Sequence, residues 1–210
     1  MFTKTLLPDT LRAIKLVSDF PEIQKAYLVR GTALALQIEH RTSIDLDFFT
    51  QDEFNEAKLS TKLASFQEFL QAGTAKWTVW GKIGQTKFSI FYYKYPLLEK
   101  TTSYEGIQLA NLSDIAAMKI HAISDRGTKR DFVDVYFLSK KYTLLEMLGF
   151  YQRKYGVLED HLYSIMRSLD YFEDAEKESD MPKMKISVNW QEIKDYFSKE
   201  TYRLTRKKLE

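Results

Sequence analysis

Two periodicities divide the chain. Up to residue 110, short β-branched and aromatic runs are interspersed with apolar positions at helical spacing, whereas beyond Asn111 only the helical spacing remains. In the first part the pattern predicts a helix over 9–19, a strand over 26–30 (AYLVR), a helix over 31–38, a strand over 43–49 (SIDLDFF) and a longer helix over 53–70. Residues 77–93, WTVWGKIGQTKFSIFYY, alternate around Gly81 and Gly84 and predict a hairpin, with a further short strand at 107–110. The second part predicts helices over about 113–124, 129–141, 143–155, 159–174 and 190–208, enough for a bundle packed beside a sheet lobe. The expected class is α+β, with lobes at 1–110 and 111–210 and neither internal repeat nor low-complexity segment.

Composition narrows this only a little. A chain of 210 residues that is 44% hydrophobic and 14% aromatic can bury one substantial core or two small ones. Net charge is only +2, so there is no general electrostatic case for nucleic acid, although local basic stretches remain. No apolar run approaches the length of a membrane span, cysteine is absent, and the start MFTKTLLPDT lacks the apolar core of a signal peptide. A cytoplasmic protein without membrane association is expected.

The candidate chemistry begins with Asp45 and Asp47. In a strand over 43–49 they would project together while Ile44, Leu46 and Phe48 take the buried face. Paired like charges are costly unless a cation neutralises them, and oxygen-ligated Mg²⁺ (or Mn²⁺) is the usual partner of a phosphate-bearing substrate. The competing reading is a solvated strand face. Upstream, Gly31-Thr32 follows a strand and opens a helix, an arrangement in which backbone approaches a phosphate closely and free N–H groups meet it. The plainer reading is a turn and a cap.

Lys119 falls on the apolar face of its helix, with Ile115, Ala122 and Ile123 one turn away. It is either a phosphate-directed cation or a lysine snorkelling out of an interface. Asp131 and Asp134 share a face of the next helix, and Arg130 is spaced to pair with Asp134, so a salt-bridged surface competes with a base or a Lys119-orienting role. Arg41 and Ser43 are further candidates for holding phosphate or the acidic pair, against ordinary turn chemistry.

Taken together, these residues carry a family likeness. Gly31-Thr32, a helix and Asp45-x-Asp47 resemble the signature of the DNA polymerase β-like nucleotidyltransferases. Residues 28–50, LVRGTALALQIEHRTSIDLDFFT, look like motif I of the AbiEii toxin family, which includes the MenT-like tRNA-modifying toxins. Residues 119–138, KIHAISDRGTKRDFVDVYFL, are similar to its Lys-x-x-Ala…Arg…Arg-Asp-x-x-Asp element, and LDYFEDAE with Trp190 resembles its C-terminal region. The resemblance implies a polymerase β-like fold with a mixed sheet and a helical C-terminal lobe. It further implies transfer of a nucleoside monophosphate from a nucleoside triphosphate to an acceptor hydroxyl, with tRNA a candidate acceptor and a cognate antitoxin a candidate partner. Metal would sit on Asp45 and Asp47, and nucleotide on Gly31, Thr32, Arg41 and Ser43. Lys119, Asp131 and Asp134 would join the catalytic set.

One departure qualifies the expectation. Many polymerase β-like enzymes carry a third carboxylate on a later strand, and the matching place in KFSIFYY is Ser89, a hydroxyl that cannot replace a charged metal ligand. This keeps open a degenerate nucleotide-binding protein that no longer transfers, and the related folds that adenylylate antibiotics keep open an antibiotic nucleotidyltransferase. His40, His121 and His161 stand far apart, which argues against structural zinc, and the acidic run from Asp170 to Asp180 reads as a solvated face.

Overall fold

The computed structural model describes residues 1–157 and 159–209, and the chain divides into two compact units, Met1–Asn111 and Leu112–Glu210. The first is built on helices α1 (Pro8–Val17), α2 (Pro21–Gln24), α3 (Arg30–Ile38) and α4 (Glu56–Ala64), with a short 3-10 turn at Thr3–Thr5. Its strands are β1 (Tyr27–Leu28), β2 (Leu46–Thr50), β3 (Phe69–Ala75), β4 (Thr78–Ile83), β5 (Thr86–Tyr92), β6 (Thr102–Tyr104) and β7 (Ile107–Leu109). They form one seven-stranded mixed sheet in the order β3-β4-β5-β2-β1-β7-β6. The pairs β1–β7 and β2–β5 are parallel; β1–β2, β3–β4, β4–β5 and β6–β7 are antiparallel.

Alternation along the central strands decides which face is covered. Leu46 and Phe48 on β2, Phe88 and Ile90 on β5, and Val79 and Ile83 on β4 are buried. Phe88 meets Phe48 at 6.0 Å and Phe69 at 6.3 Å between ring centroids. Each such side chain contributes roughly 1.5–3 kcal/mol of hydrophobic stabilisation. Helix α1 packs against β5, and the buried Thr10 and Thr86 hydroxyls lie 3.2 Å apart. The β4–β5 hairpin turns at Gly84, whose φ of +57° is open to glycine at little cost.

Two expected elements of this unit are corrected. The strand expected over 43–49 starts only at Leu46, and Ile44 is 37% exposed rather than buried. The backbone before it is spent elsewhere: Ser43 N donates to Thr5 O at 3.3 Å, and the Asp45 carbonyl accepts from the Thr32 hydroxyl. The helix expected over 53–70 is capped by Asn55, whose side chain accepts from Lys58 N at 2.8 Å, and stops at Ala64. The next element is β3, an edge strand exposed along most of its length, so it offers no apolar alternation to read.

The second unit comprises α5 (Leu112–Asp125), α6 (Lys129–Leu138), α7 (Leu144–Tyr155), α8 (Glu159–Leu169), α9 (Glu173–Glu176) and α10 (Trp190–Leu209). The single helix expected over 159–174 is thus broken after Leu169, where Phe172 turns inward onto Phe132 at 5.2 Å. Phe132 also meets Trp190 at 5.9 Å and Phe197 at 5.1 Å, and this aromatic cluster ties α6 to α10. Helix α7 starts with a full capping box, Thr143 with Glu146, and ends at Gly156 in the left-handed conformation. A fully buried ion pair, Lys154 Nζ to Asp114 at 2.6 Å, links α7 to α5. Among the described residues no helix is long and apolar enough to cross a membrane.

Candidate active site

In the first unit the chain passes from β1 into α3 through Arg30, whose φ of +59° places a non-glycine residue in the left-handed region. Such strain is held only where surroundings over-determine it. Here they do: the Arg30 guanidinium reaches Asp47 Oδ1 at 3.5 Å and lies 5.7 Å above the Phe49 ring and 6.0 Å above Phe91. Arg30 is not among the residues that sequence patterning singles out. Its adjacency to Gly31 is legible there, but its backbone conformation is not.

Gly31 is the second residue of α3, and a Cβ there would fall 2.2 Å from Arg41 Nη2 and 3.1 Å from Ser43 Oγ. The missing side chain is what lets the buried Arg41 guanidinium and the Ser43 hydroxyl close over the helix start. Thr32 is buried and does not cap the helix. Its hydroxyl donates to the Asp45 carbonyl and lies 2.9 Å from Ser43 Oγ, so Gly31, Thr32, Arg41 and Ser43 form one cluster that also fixes the backbone of Asp45.

Asp47 sits on β2 with its side chain 19% exposed, and Ser89 is its direct partner across the parallel β2–β5 ladder. Ser89 Oγ donates to Asp47 Oδ1 at 2.6 Å, so the serine expected in place of a third carboxylate does stand beside Asp47. Asp45 precedes β2, so strand alternation is not what aims its half-buried carboxylate. Among the described residues no group of three or more histidine, aspartate or glutamate side chains could hold a metal ion. Asp47 is thus a carboxylate with a hydroxyl fastened to one oxygen, and Asp45 lies two residues before it, ahead of the strand.

The second unit holds the other candidates together. Lys119 Nζ reaches Asp131 Oδ1 at 2.7 Å and Asp134 Oδ2 at 2.6 Å, with all three side chains at most 6% exposed. Asp131 also accepts from Arg126 Nε at 3.1 Å and from the Thr128 hydroxyl at 2.6 Å. Burial by itself would raise the Asp131 carboxyl, but the Lys119 ammonium and the Arg126 guanidinium outweigh it and hold it at about 2. Lys119 therefore does not snorkel, and Arg130 is exposed rather than paired with Asp134. Arg126 and Thr128 enter this network although neither is among the candidates that the sequence suggests.

Known proteins resemble the chain at the level of family, of a relative in sequence and of fold. The model of the family described as nucleotidyl transferase AbiEii toxin, type IV toxin–antitoxin system, matches residues 94–201. An uncharacterised protein of Aquifex aeolicus (strain VF5) is 36% identical over 179 residues, 82% of this chain and 84% of that one. Among solved structures, MenT4, a nucleotidyltransferase toxin from Mycobacterium tuberculosis H37Rv, superposes with a TM-score of 0.62 at 14% identity, covering 94% of this chain and 81% of that one. JHP933 from Helicobacter pylori gives 0.53 at 20% identity, with 95% of each chain covered. At such identities the solved structures speak for the fold, an α+β polymerase β-like nucleotidyltransferase fold.

Proposed function

The chain belongs to the AbiEii family of nucleotidyltransferase toxins, and on that basis we propose that it moves a nucleoside monophosphate from a nucleoside triphosphate to an acceptor hydroxyl. The observation that carries this reading is the cluster around α3 and β2. Gly31 leaves room for Arg41 and Ser43 at a helix start, and Asp47, anchored by Ser89, stands beside it. The acceptor oxygen forms the new bond to the α-phosphorus, the α–β bridging bond breaks, pyrophosphate leaves, and the acceptor proton passes to solvent.

Carboxylates are hard oxygen donors of the kind taken by Mg²⁺ or Mn²⁺, which retain water and accept phosphate oxygens. Asp45 and Asp47 would hold the ion, and when bound it supplies charge neutralisation at the phosphates. Ser89 keeps one Asp47 oxygen oriented, and Thr32 fixes the backbone of Asp45. The Arg41 guanidinium and the Ser43 hydroxyl lie at the start of α3, where they would bind a phosphate. In the second unit, Asp131 and Asp134 hold Lys119, which the family resemblance assigns to the catalytic set. With its carboxyl at about 2, Asp131 is poorly matched to general-base work at neutral pH. A tRNA acceptor and a cognate antitoxin protein are part of the proposal.

A second reading has its own observation. The Ser89 hydroxyl occupies the place opposite Asp47 where a third carboxylate would complete a two-metal site, which favours a protein that binds nucleotide without transferring it. Label transfer from each α-labelled nucleoside triphosphate to total tRNA, protein or aminoglycoside, with and without Mg²⁺, decides between them. The expected result is Mg²⁺-dependent labelling of one acceptor class that Asp47→Asn abolishes. Nucleotide binding with no labelled product under any condition sinks the transferase reading.

A further inference from the structure

The buried face of the central sheet is accounted for by its core. The opposite face of β4 and β5 is not. The ladder registers put Lys82 opposite Lys87, Trp80 opposite Ser89 and Thr78 opposite Phe91, and they extend the Trp80–Ser89 row to Asp47 on β2. Directly opposed residues share a face, so this surface runs from two lysines through an indole to the Asp47 carboxylate. Lys82 and Lys87 are exposed, and Trp80 is 37% exposed. Asp47 is the one acid among these residues.

Two features of the surface bear on what it can hold. Like charges placed directly opposite each other across an antiparallel pair are destabilising, and no ion pair among the described residues involves either lysine. An anion lying between them removes that cost. Trp80 is supported from below: a Cβ on Gly73 of the neighbouring β3 would fall 2.3 Å from the indole six-membered ring, so the glycine at the β3 irregularity is what lets that ring lie over the strand. One side of the indole rests on backbone while part of it stays open to solvent, the arrangement of a stacking platform.

We propose that this face of β4 and β5 seats a single-stranded nucleic acid, with a base stacked on Trp80 and backbone phosphate held between Lys82 and Lys87. The spacings suit one strand. Trp80 and Asp47 are two ladder steps apart, about 10 Å, and the lysine pair is two residues further along, about 7 Å. Phosphate contacts supply affinity and aromatic stacking tolerates any base, so binding is expected to be weakly sequence-dependent and strongly salt-dependent. Resting on the nucleotidyltransferase reading, the inference adds that the strand brings its terminal hydroxyl along the Trp80–Ser89–Asp47 row.

The test is a fluorescence-anisotropy titration of a labelled mixed-sequence 12-nucleotide RNA, and of the same sequence as DNA, with the full chain and no nucleoside triphosphate. The result therefore stands whether or not transfer is later observed. Trp80→Ala should weaken binding on the order of tenfold or more, while Trp80→Phe, which keeps a ring, should retain most of it. Lys82→Ala with Lys87→Ala should reduce the slope of log K against log salt by about 0.7, the share of the one single-strand phosphate held between them. Circular dichroism melts verify folding, and the lysine pair, being exposed, stays informative if Trp80→Ala is unstable. Oligonucleotide binding that is absent in the wild type, or unchanged in Trp80→Ala and in the lysine double variant, overturns the proposal. So does equal competition by poly-glutamate, which would mark a general polyanion surface.

Discussion

Lys119 carries a charge into a helix interface and finds two carboxylates there, Asp131 and Asp134, each within 2.7 Å. Removing one member of such a buried network strands the others, so Lys119→Met should cost about 3–5 kcal/mol by urea unfolding, far more than loss of a snorkelling lysine. A cost below about 1 kcal/mol would show that the network is not formed. Asp131 adds a pH signature. Its carboxyl at about 2 lies below the ordinary 3.8, so the folded state holds the proton less tightly than the unfolded chain. Stability from this group is complete above pH 4 and is lost as pH falls through 2, amounting to roughly 2 kcal/mol. Carboxyl-carbon NMR should show Asp131 titrating near 2, and unfolding curves for Asp131→Asn should lack this acid-dependent loss. Sequence spacing places Lys119 on an apolar face and the two aspartates together on another helix, yet it pairs Asp134 with Arg130. Local i, i+4 spacing is readable, but a partner on a neighbouring helix is set by packing, which spacing does not contain.

Among the secondary-structure elements, the legible ones are those that alternation or helical period writes directly. The β4–β5 hairpin and the helices α5, α6, α7 and α10 follow their apolar patterns within a few residues, whereas β3 is an exposed edge strand and leaves no pattern. The start of β2 is misplaced from sequence because the Asp45 carbonyl and the Ser43 amide bond outside the sheet, a diversion invisible to period-two reasoning. The same diversion builds the cluster at α3, which makes Gly31 the sensitive position. In Gly31→Ala the added methyl meets Arg41 Nη2 at 2.2 Å and Ser43 Oγ at 3.1 Å, so the guanidinium must leave its place over the helix start. A fluorescent nucleoside triphosphate analogue should then bind at least tenfold more weakly, while helix content by circular dichroism is retained. Undiminished affinity in Gly31→Ala would remove Arg41 and Ser43 from the nucleotide site.

Over the full chain, the decisive quantity is linkage between nucleotide and stability, because binding and turnover are separable and only one of the two readings requires both. A ligand that binds the folded chain alone stabilises it by about 2.7 kcal/mol at a hundred times its dissociation constant. In a chain of this size each kcal/mol raises the melting temperature by roughly 2–4 °C, so the matching triphosphate with Mg²⁺ should raise it by about 5–10 °C. Four triphosphates tested in turn, each with Mg²⁺ or with chelator, rank the bases without any acceptor present. Asp47→Asn should lose the Mg²⁺-dependent part of the shift, because the ion then has one carboxylate fewer. It should keep some metal-independent shift through Gly31, Thr32, Arg41 and Ser43, which stay in place when Asp47 changes. A metal-dependent shift that survives intact in Asp47→Asn would put the ion elsewhere. A chain that shifts with nucleotide yet transfers nothing to tRNA, protein or aminoglycoside is the binder that Ser89 permits, and one that does both is the transferase.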